Sequence, residues 1–268
     1  MRPLTDRRVV SVAVNLPGPL AARRLADLGA RVIKVEPPAG DPLATHAPAL
    51  YAELSAGMEI VVRNLKVAPL GALLAGSDVL ITSSRPSSLA RLGLDPAVLA
   101  AHPRLCHVAI VGYPGAAAET AGHDLNYQAA AGLVRPTQLP MSLLADIAGG
   151  ERAALAALAL LAERERTGHG GTAQVALADA AMALAAPLRA GLTAAGAVLG
   201  GGNPFYAVYA ARTGFVAVGC LEPQFADRLA EALDARTAKQ LADAYLARSA
   251  EDWERWARAR DIPVNAVR

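Results

Sequence analysis

The chain has 268 residues, 53% of them hydrophobic but only 4% aromatic, and 26 Lys and Arg against 24 Asp and Glu give a formal net charge of +2. That length holds one large domain or two modest ones with a sizeable core. The balanced charge, with no segment that clusters Lys and Arg among aromatics, excludes the footprint of a nucleic-acid binder. No apolar run reaches bilayer-spanning length, since "AALAALALLAERERTG" breaks into charges. The opening "MRPLTDRRVVSVAV" has too short an apolar run for a signal peptide and leads straight into a folded pattern. A cytoplasmic protein with no membrane partner is expected. Cys106 and Cys220 lie far apart in strand-like apolar runs and read as buried thiols, without a disulfide framework or a C-x-x-C pattern.

In chain order, "RRVVSVAVNLPGPLAARRLADLGARVIKVEPPAGD" spells a β-α-β unit. Val9 to Val14 is a β-branched run and predicts a buried strand. Pro17-Gly18-Pro19 turns the chain into a helix, whose first turn tolerates proline. Leu20, Leu25 and Leu28 share one side of that helix, and Gly29 ends it. Val32 to Val35 predicts the second strand, closed by Glu36 and a Pro-Pro-Ala-Gly turn. A parallel, doubly wound sheet begins in this way. "LGALLAGSDVLITSS" and "DPAVLAAHPRLCHVAIVGY" repeat helix then strand. "GGERAALAALALLAERERTGHGG" predicts the clearest helix, stopped by Gly168. "TAQVALADAAMALAAPLRAGLTAAGAV" starts as strand or helix and continues mostly helical. The Gly-rich "LGGGNPF", Leu199 to Phe205, reads as a hinge. Beyond it "YAVYAARTGFVAVGC" predicts a β-hairpin turning at Thr213-Gly214, and "EPQFADRLAEAL" and "AEDWERWARAR" predict amphipathic helices. The fold class expected is α/β: a doubly wound parallel, Rossmann-like large domain over residues 1–186, a linker over 187–204, and a smaller α+β domain over 205–268.

Glu36 at the end of the second strand invites comparison with dinucleotide-binding folds. The turn here is "NLPGP", one glycine flanked by prolines, and not the G-x-G-x-x-G that lets backbone approach a pyrophosphate. Pro19 also removes an N–H where phosphate would bind. A nicotinamide or flavin cofactor is therefore not expected. Neither is a metal, because no His, Cys or carboxylate pair has ligand spacing.

Polar side chains concentrate in "AGHDLNYQAAAGLV", where Gly122, His123, Asp124, Asn126 and Tyr127 fall within six positions ahead of an apolar run. Capping a helix needs one of them. Asp146, in "LLADIAGG", stands just ahead of the long helix. An aspartate there commonly caps, and helix-start N–H groups can also steady a developing anion. Arg85, in "TSSRPSS", follows the strand "DVLIT" at its carboxyl end, the edge where open parallel sheets bind ligands. Glu222, in "GCLEPQF", follows a strand and precedes Pro223, and taken alone reads as a first-turn helix acid. His169, in "RERTGHGG", reads as part of a helix terminator.

Taken in order, these segments resemble the family III CoA-transferases (the CaiB/BaiF group), which include formyl-CoA and carnitine CoA-transferases and the α-methylacyl-CoA racemases. The resemblance is carried by "NLPGPLAARRLADLGARVIKVEPPAGD", by "GSDVLITSSRPSSLARLGLDPAVLAAHPRLCHVAIVGY" and by "LLADIAGGERAALAALALLAERERTGHGGTAQVALADAAM", and it extends to about Leu233. "AGHDLNYQAAAGL" and "YAVYAARTGFVAVGCLEPQF" are most similar to the racemase branch. The resemblance implies an acid–base pair of His123 and Asp146, with Glu222 orienting the histidine. It implies that Arg85, Gly122, Asp124, Asn126 and Tyr127 hold a CoA thioester. The activity implied is that of an acyl-CoA racemase or epimerase moving the α-proton of a 2-methylacyl-CoA, with coenzyme A as part of the substrate and no separate cofactor. Two alternatives stay open: a CoA-transferase with Asp146 as nucleophile, and a non-catalytic member that binds a thioester or a partner protein.

A homodimer is also implied, interlocked where a segment after the small domain returns to the large one. The chain ends at Arg268, about where that return would begin. Where the family's basic cluster is expected stand Gly57, Met58 and Glu59, leaving Arg63 and Lys66 nearby. Ser142 stands four residues before Asp146, where racemases tend to carry an asparagine that supports the aspartate.

Overall fold

In the computed structural model, which describes residues 1–268, the chain divides into two units, Met1–Ala185 and Ala186–Arg268. The first unit runs β1 (Arg8–Ser11), α1 (Pro17–Asp27), β2 (Arg31–Glu36), α2 (Pro42–His46), α3 (Pro48–Ser55), β3 (Glu59–Val62), α4 (Gly71–Ala75), β4 (Val79–Thr82), α5 (Pro86–Arg91), α6 (Pro96–Ala100), β5 (Cys106–Val111), α7 (Asp124–Ala130), α8 (Leu144–Thr167), β6 (Thr172–Ala176) and α9 (Leu177–Leu184). Its six strands form one parallel sheet in the order β3-β2-β1-β4-β5-β6. This is the doubly wound α/β architecture expected from the repeated strand–helix pattern. Sheet growth reverses between β1 and β4, so the loops leaving those strands part and open a crevice at their carboxyl ends.

Alternation along the strands sends side chains into two apolar layers. On one face Val9, Val79, Ile81, Cys106, Val108 and Ile110 pack with Ala21, Leu25, Ala153, Ala157 and Ala181 of α1, α8 and α9. On the other, Val10, Ile33, Val35 and Leu80 pack with Leu74, Leu89 and Leu94. Small residues let the helices on the first face come close. A Cβ at Gly150 would stand 2.8 Å from the Pro17 carbonyl oxygen, and one at Gly149 would stand 2.2 Å from Leu177 Cδ2. The pair in "LLADIAGG" is therefore a packing surface inside α8, and the helix begins at Leu144, ahead of both glycines. It ends at Gly168 in the left-handed conformation, as its sequence predicts. Strand β1 stops at Ser11, short of Val14, because the chain turns at Asn15 with φ of 67°. Strand β3 was not anticipated. It is a mostly exposed edge strand, without the buried apolar run that marks an inner one.

The second unit contains α10 (Ala186–Arg189), β7 (Tyr206–Ala210), β8 (Phe215–Gly219), α11 (Pro223–Leu233), α12 (Ala238–Tyr245), α13 (Ala250–Arg258) and β9 (Val264–Ala266). The residues read as a linker, 187–204, include part of α10 and a Gly-rich turn, Val198–Gly202, and are grouped with this unit. Strands β7 and β8 form the expected antiparallel hairpin, and β9 adds a third antiparallel strand. Helix α12, not anticipated, starts at a capping Thr237 whose side chain accepts from the Gln240 N–H. Tyr209, Tyr245 and Trp253 make an aromatic core in which Trp253 Nε1 donates to the Tyr245 carbonyl at 2.8 Å. Both cysteines are free and buried. No helix of the chain is long and apolar enough to cross a membrane.

One charged cluster is sealed inside the first unit. Lys34 on β2 is completely buried, and its ammonium donates to Glu36 Oε1 and, at 2.7 Å, to Asp41 Oδ2. Tyr51 of α3 donates its hydroxyl to Glu36 Oε1 at 2.7 Å, and its own titration is pushed up to about 12, first by burial and then by that carboxylate. Replacing Lys34 leaves two buried carboxylates without their cation. Lys34→Met is expected to lower folding free energy by about 3–5 kcal/mol, read as a drop in the urea midpoint.

Candidate active-site cleft

The crevice at the switch point is a cleft of about 580 Å³ formed within the first unit. Its floor includes Ile110 and Val111 at the end of β5. Its walls come from the loops Val14–Pro17 and Ser83–Arg85 and from the starts of α7 and α8. Leu16, Leu43, Ile110, Leu125, Leu143 and Leu177 supply apolar lining.

The loop after β1 is held in place by side chains remote in sequence. Asp41 Oδ1 accepts from the Asn15 N–H and the Leu43 N–H, each at 2.9 Å. Asn15 is a residue type that tolerates its left-handed backbone. Asp41 takes its place in turn from Lys34. Gly18 then lets α1 start tightly, since a Cβ there would stand 2.1 Å from Ala13 Cβ.

Of the residues singled out in the sequence, Arg85, Gly122, His123, Asp124, Tyr127 and Asp146 line this one cleft. They come from three separate segments, brought together by the crossing of α7 and α8 at the sheet edge. His123 is exposed and is the N-cap residue of α7. Its N–H is bound by Asn126 Oδ1 at 3.0 Å, the backward half of a capping box. Asn126 therefore holds the loop and is not among the cleft-lining residues. Gly122 lies against the Tyr127 ring, where a Cβ would come within 2.7 Å of Cε1. Tyr127 is 3% exposed and packs edge-on against Tyr113, with centroids 5.1 Å apart. Burial, before any neighbouring charge, pushes the Tyr127 titration up to about 12, so its hydroxyl keeps its proton at any ordinary pH.

Asp146 is in the first turn of α8 but does not cap it, because the N-cap position belongs to Leu143. Its own N–H is held instead by Asp124 Oδ1 at 3.0 Å. Its carboxyl is pushed up from 3.8 to about 7, chiefly by burial and secondly by the Asp124 carboxylate. Asp124 is 4% exposed, and its other oxygen accepts from Gln128 Nε2, which also donates to the Ser142 carbonyl at 2.9 Å. Ser142 thus supports this neighbourhood through its backbone. Glu222 belongs to the second unit, where it is the N-cap residue of α11 without a side-chain capping bond. Arg63 donates to the Pro69 carbonyl at 3.1 Å, and neither it nor Lys66 lines the cleft. No group of three or more His, Cys, Asp or Glu side chains is arranged to hold a metal ion.

His46 of α2 and Asn15 also line the cleft and were missed in the sequence. Nothing local marks His46. Asn15 was legible only as a turn residue ahead of Pro17. Gln128 was missed because its importance lies in partners four and fourteen residues away.

Titratable side chains gathered at the switch point of an open α/β sheet define the class of doubly wound proteins whose ligand crevice lies at the carboxyl ends of the strands. A profile of CoA-transferase family III matches residues 4–268, and the chain belongs to that family. It is 34% identical to the human (Homo sapiens) alpha-methylacyl-CoA racemase over 84% of this chain and 63% of that protein. It is also 34% identical to a probable fatty acyl-CoA transferase of Mycobacterium tuberculosis, over 69% of this chain and 53% of that one. The chain thus spans less than two thirds of the length of these relatives. The crystal structure of a hypothetical protein from Mycobacterium tuberculosis superposes with a TM-score of 0.86 at 24% identity, covering 100% of this chain and 86% of that one, and shares its fold.

The raised Asp146 carboxyl has a consequence for stability. The folded protein holds this proton up to about pH 7, whereas the unfolded chain releases it near pH 4. Folding is therefore favoured by this group below pH 4, and that contribution is lost as pH rises through 7. Asp146→Asn is expected to stabilise the protein at pH 8 by roughly 2–4 kcal/mol and to leave it unchanged at pH 4, as measured by urea unfolding at both values.

Proposed function

We propose that the cleft carries out 1,1-proton transfer at the α-carbon of a 2-methylacyl-CoA, so that the chain acts as an acyl-CoA racemase or epimerase. The observation that carries this reading is the Asp146 carboxyl, poised near pH 7 in the same cleft as His123. An acid–base group works best when its pKa lies near the working pH, where it is present in both forms. A thioester acidifies its α-proton, and racemisation needs one group to remove the proton and another to return it on the opposite face. The His123 imidazole and the Asp146 carboxyl are a suitable pair. The enolate oxygen needs donors, and the N–H groups of Asp124 and Leu125, in the first turn of α7, have no acceptor within the protein. The leucines of the cleft suit a branched acyl chain, and Arg85 suits an anionic group of CoA. The chemistry asks for no separate cofactor. Glu222 enters as the third catalytic residue on the sequence resemblance alone. A homodimer and a cytoplasmic location belong to the same reading.

A second reading is supported by the equal identity to a transferase. There, the Asp146 carboxylate attacks the thioester carbonyl, forms an acyl–aspartyl anhydride and expels the CoA thiolate.

Incubation with a 2-methylacyl-CoA in deuterated water is expected to exchange the α-proton. Asp146→Asn and His123→Ala should each reduce the exchange rate by about 10²–10⁴-fold. Hydroxylamine-trapped acyl–aspartate at Asp146, without α-exchange, would establish the transferase reading instead.

A further inference from the structure

Gln128 lies outside the cleft, fully buried on α7, yet its bonds lead to Asp146. Its amide nitrogen donates to Asp124 Oδ2 and to the Ser142 carbonyl, the latter at 2.9 Å. The opposite oxygen of Asp124 accepts from the Asp146 N–H at 3.0 Å. Both Asp124 oxygens therefore face donors. The amide has only one workable orientation. Turned over, its oxygen would face the Ser142 carbonyl and the Asp124 carboxylate, all acceptors. In the working orientation Gln128 Oε1 is buried without a partner. An orphaned buried carbonyl typically costs about 1–3 kcal/mol. A residue chosen for packing alone would avoid that cost by being apolar.

We propose that Gln128 is a positioning residue for proton transfer: it clamps the Asp124 carboxylate against the N–H of Asp146, so that a fixed negative charge faces the Asp146 carboxyl. This rests on the reading of Asp146 as an acid–base group. Asp124 is the one neighbouring charge that contributes to the rise of Asp146 toward 7, after burial. The other charged or titratable groups lining the cleft around Asp146 are His123 and Tyr127 of the α7 segment, Arg85 after β4, and His46 of α2. On α8 itself, Glu151 is paired with Arg24 of α1 at 2.7 Å. None of these bonds to Gln128, so replacing Gln128 reaches Asp146 through Asp124 and through the Ser142 carbonyl four residues ahead of it, and Asp124→Asn isolates the first route.

The test is the Asp146 titration, followed by carboxyl ¹³C NMR on the whole chain without substrate and assigned by its absence in Asp146→Asn. In Gln128→Leu the Asp124 carboxylate keeps one protein donor and is free to turn away. Asp146 is then expected to titrate lower by roughly 0.5–1 unit, and the corresponding limb of the α-exchange pH profile should move with it. Asp124→Asn, which removes the charge at nearly constant shape, should shift the titration the same way, and it serves if Gln128→Leu does not fold. A folded Gln128→Leu, or Asp124→Asn, in which the Asp146 titration stays in place would overturn the proposal and leave Gln128 a packing residue. The NMR readout is independent of the reaction. If Asp146 moves as expected but no α-exchange is found in the parent protein, the racemase reading fails and the clamp on Asp146 stands.

Discussion

An ammonium without access to water needs close carboxylates to remain charged, and Lys34 has two, Glu36 and Asp41. Its position on β2 sets where Asp41 must sit, and Asp41 then receives the N–H of Asn15 in the neighbouring loop. That bond holds a backbone conformation that most residues resist. One lip of the cleft is thus anchored by a chain of charge and hydrogen bonds rooted in the sheet. Replacing such a cluster with apolar residues is often neutral for stability in general. Here the polar version does something an apolar one cannot, because it fixes a loop whose own sequence, "NLPGP", offers no internal bond to do so.

The opposite lip is organised by a different conflict. Asp124 and Asp146 are brought together by the crossing of α7 and α8, and close packing at Gly149 and Gly150 brings α8 in against Leu177 and α1. Two carboxylates that near each other in a half-buried setting do not ionise equally. Burial is the main cause of the rise at Asp146, with Asp124 second, and the Asp146 carboxyl lacks the donors that both Asp124 oxygens face. The site therefore contains one carboxyl held by donors on both oxygens and one that exchanges a proton near neutrality. That division of roles suits proton abstraction.

The repeated strand–helix pattern made the doubly wound sheet legible, because buried parallel strands are continuous apolar runs such as "DVLIT" and "CHVAIV". The edge strand Glu59–Val62 was not legible, since it is mostly exposed and short. The polar excess of "AGHDLNYQAAAGLV" marked one wall of the cleft, and "LLADIAGG" marked the other. What escaped was the wiring. That Asn126 serves the His123 backbone, that Asp146 is held rather than capping, and that Gln128 ties Asp124 to Ser142 are facts about distance between segments. Periodicity and composition contain no information of that kind. His46 reaches the cleft only because α2 follows the Lys34–Asp41 anchor, and no feature of "ATHAP" marks it.

The charge of the cleft bears on what it can hold. Arg85 is the one Lys or Arg among its lining residues, and it shares the space with two carboxyl groups. Gly57, Met58 and Glu59 offer no positive charge, and Arg63 is turned to the Pro69 carbonyl. A substrate as anionic as a CoA thioester would gain little here from long-range attraction, which needs a concentrated field of one sign. Its binding in the proposed reaction would rest on burying the acyl and linker portions against the leucines of the cleft and on short donor contacts near the reacting carbon. Burial of that kind scales with apolar area and is not screened by salt as charge attraction is. It also discriminates poorly between acyl chains that differ by a methylene. In the proposed reaction, specificity would be concentrated at the α-carbon, where His123 and Asp146 would have to face the same atom, and the rest of the acyl group would be loosely defined.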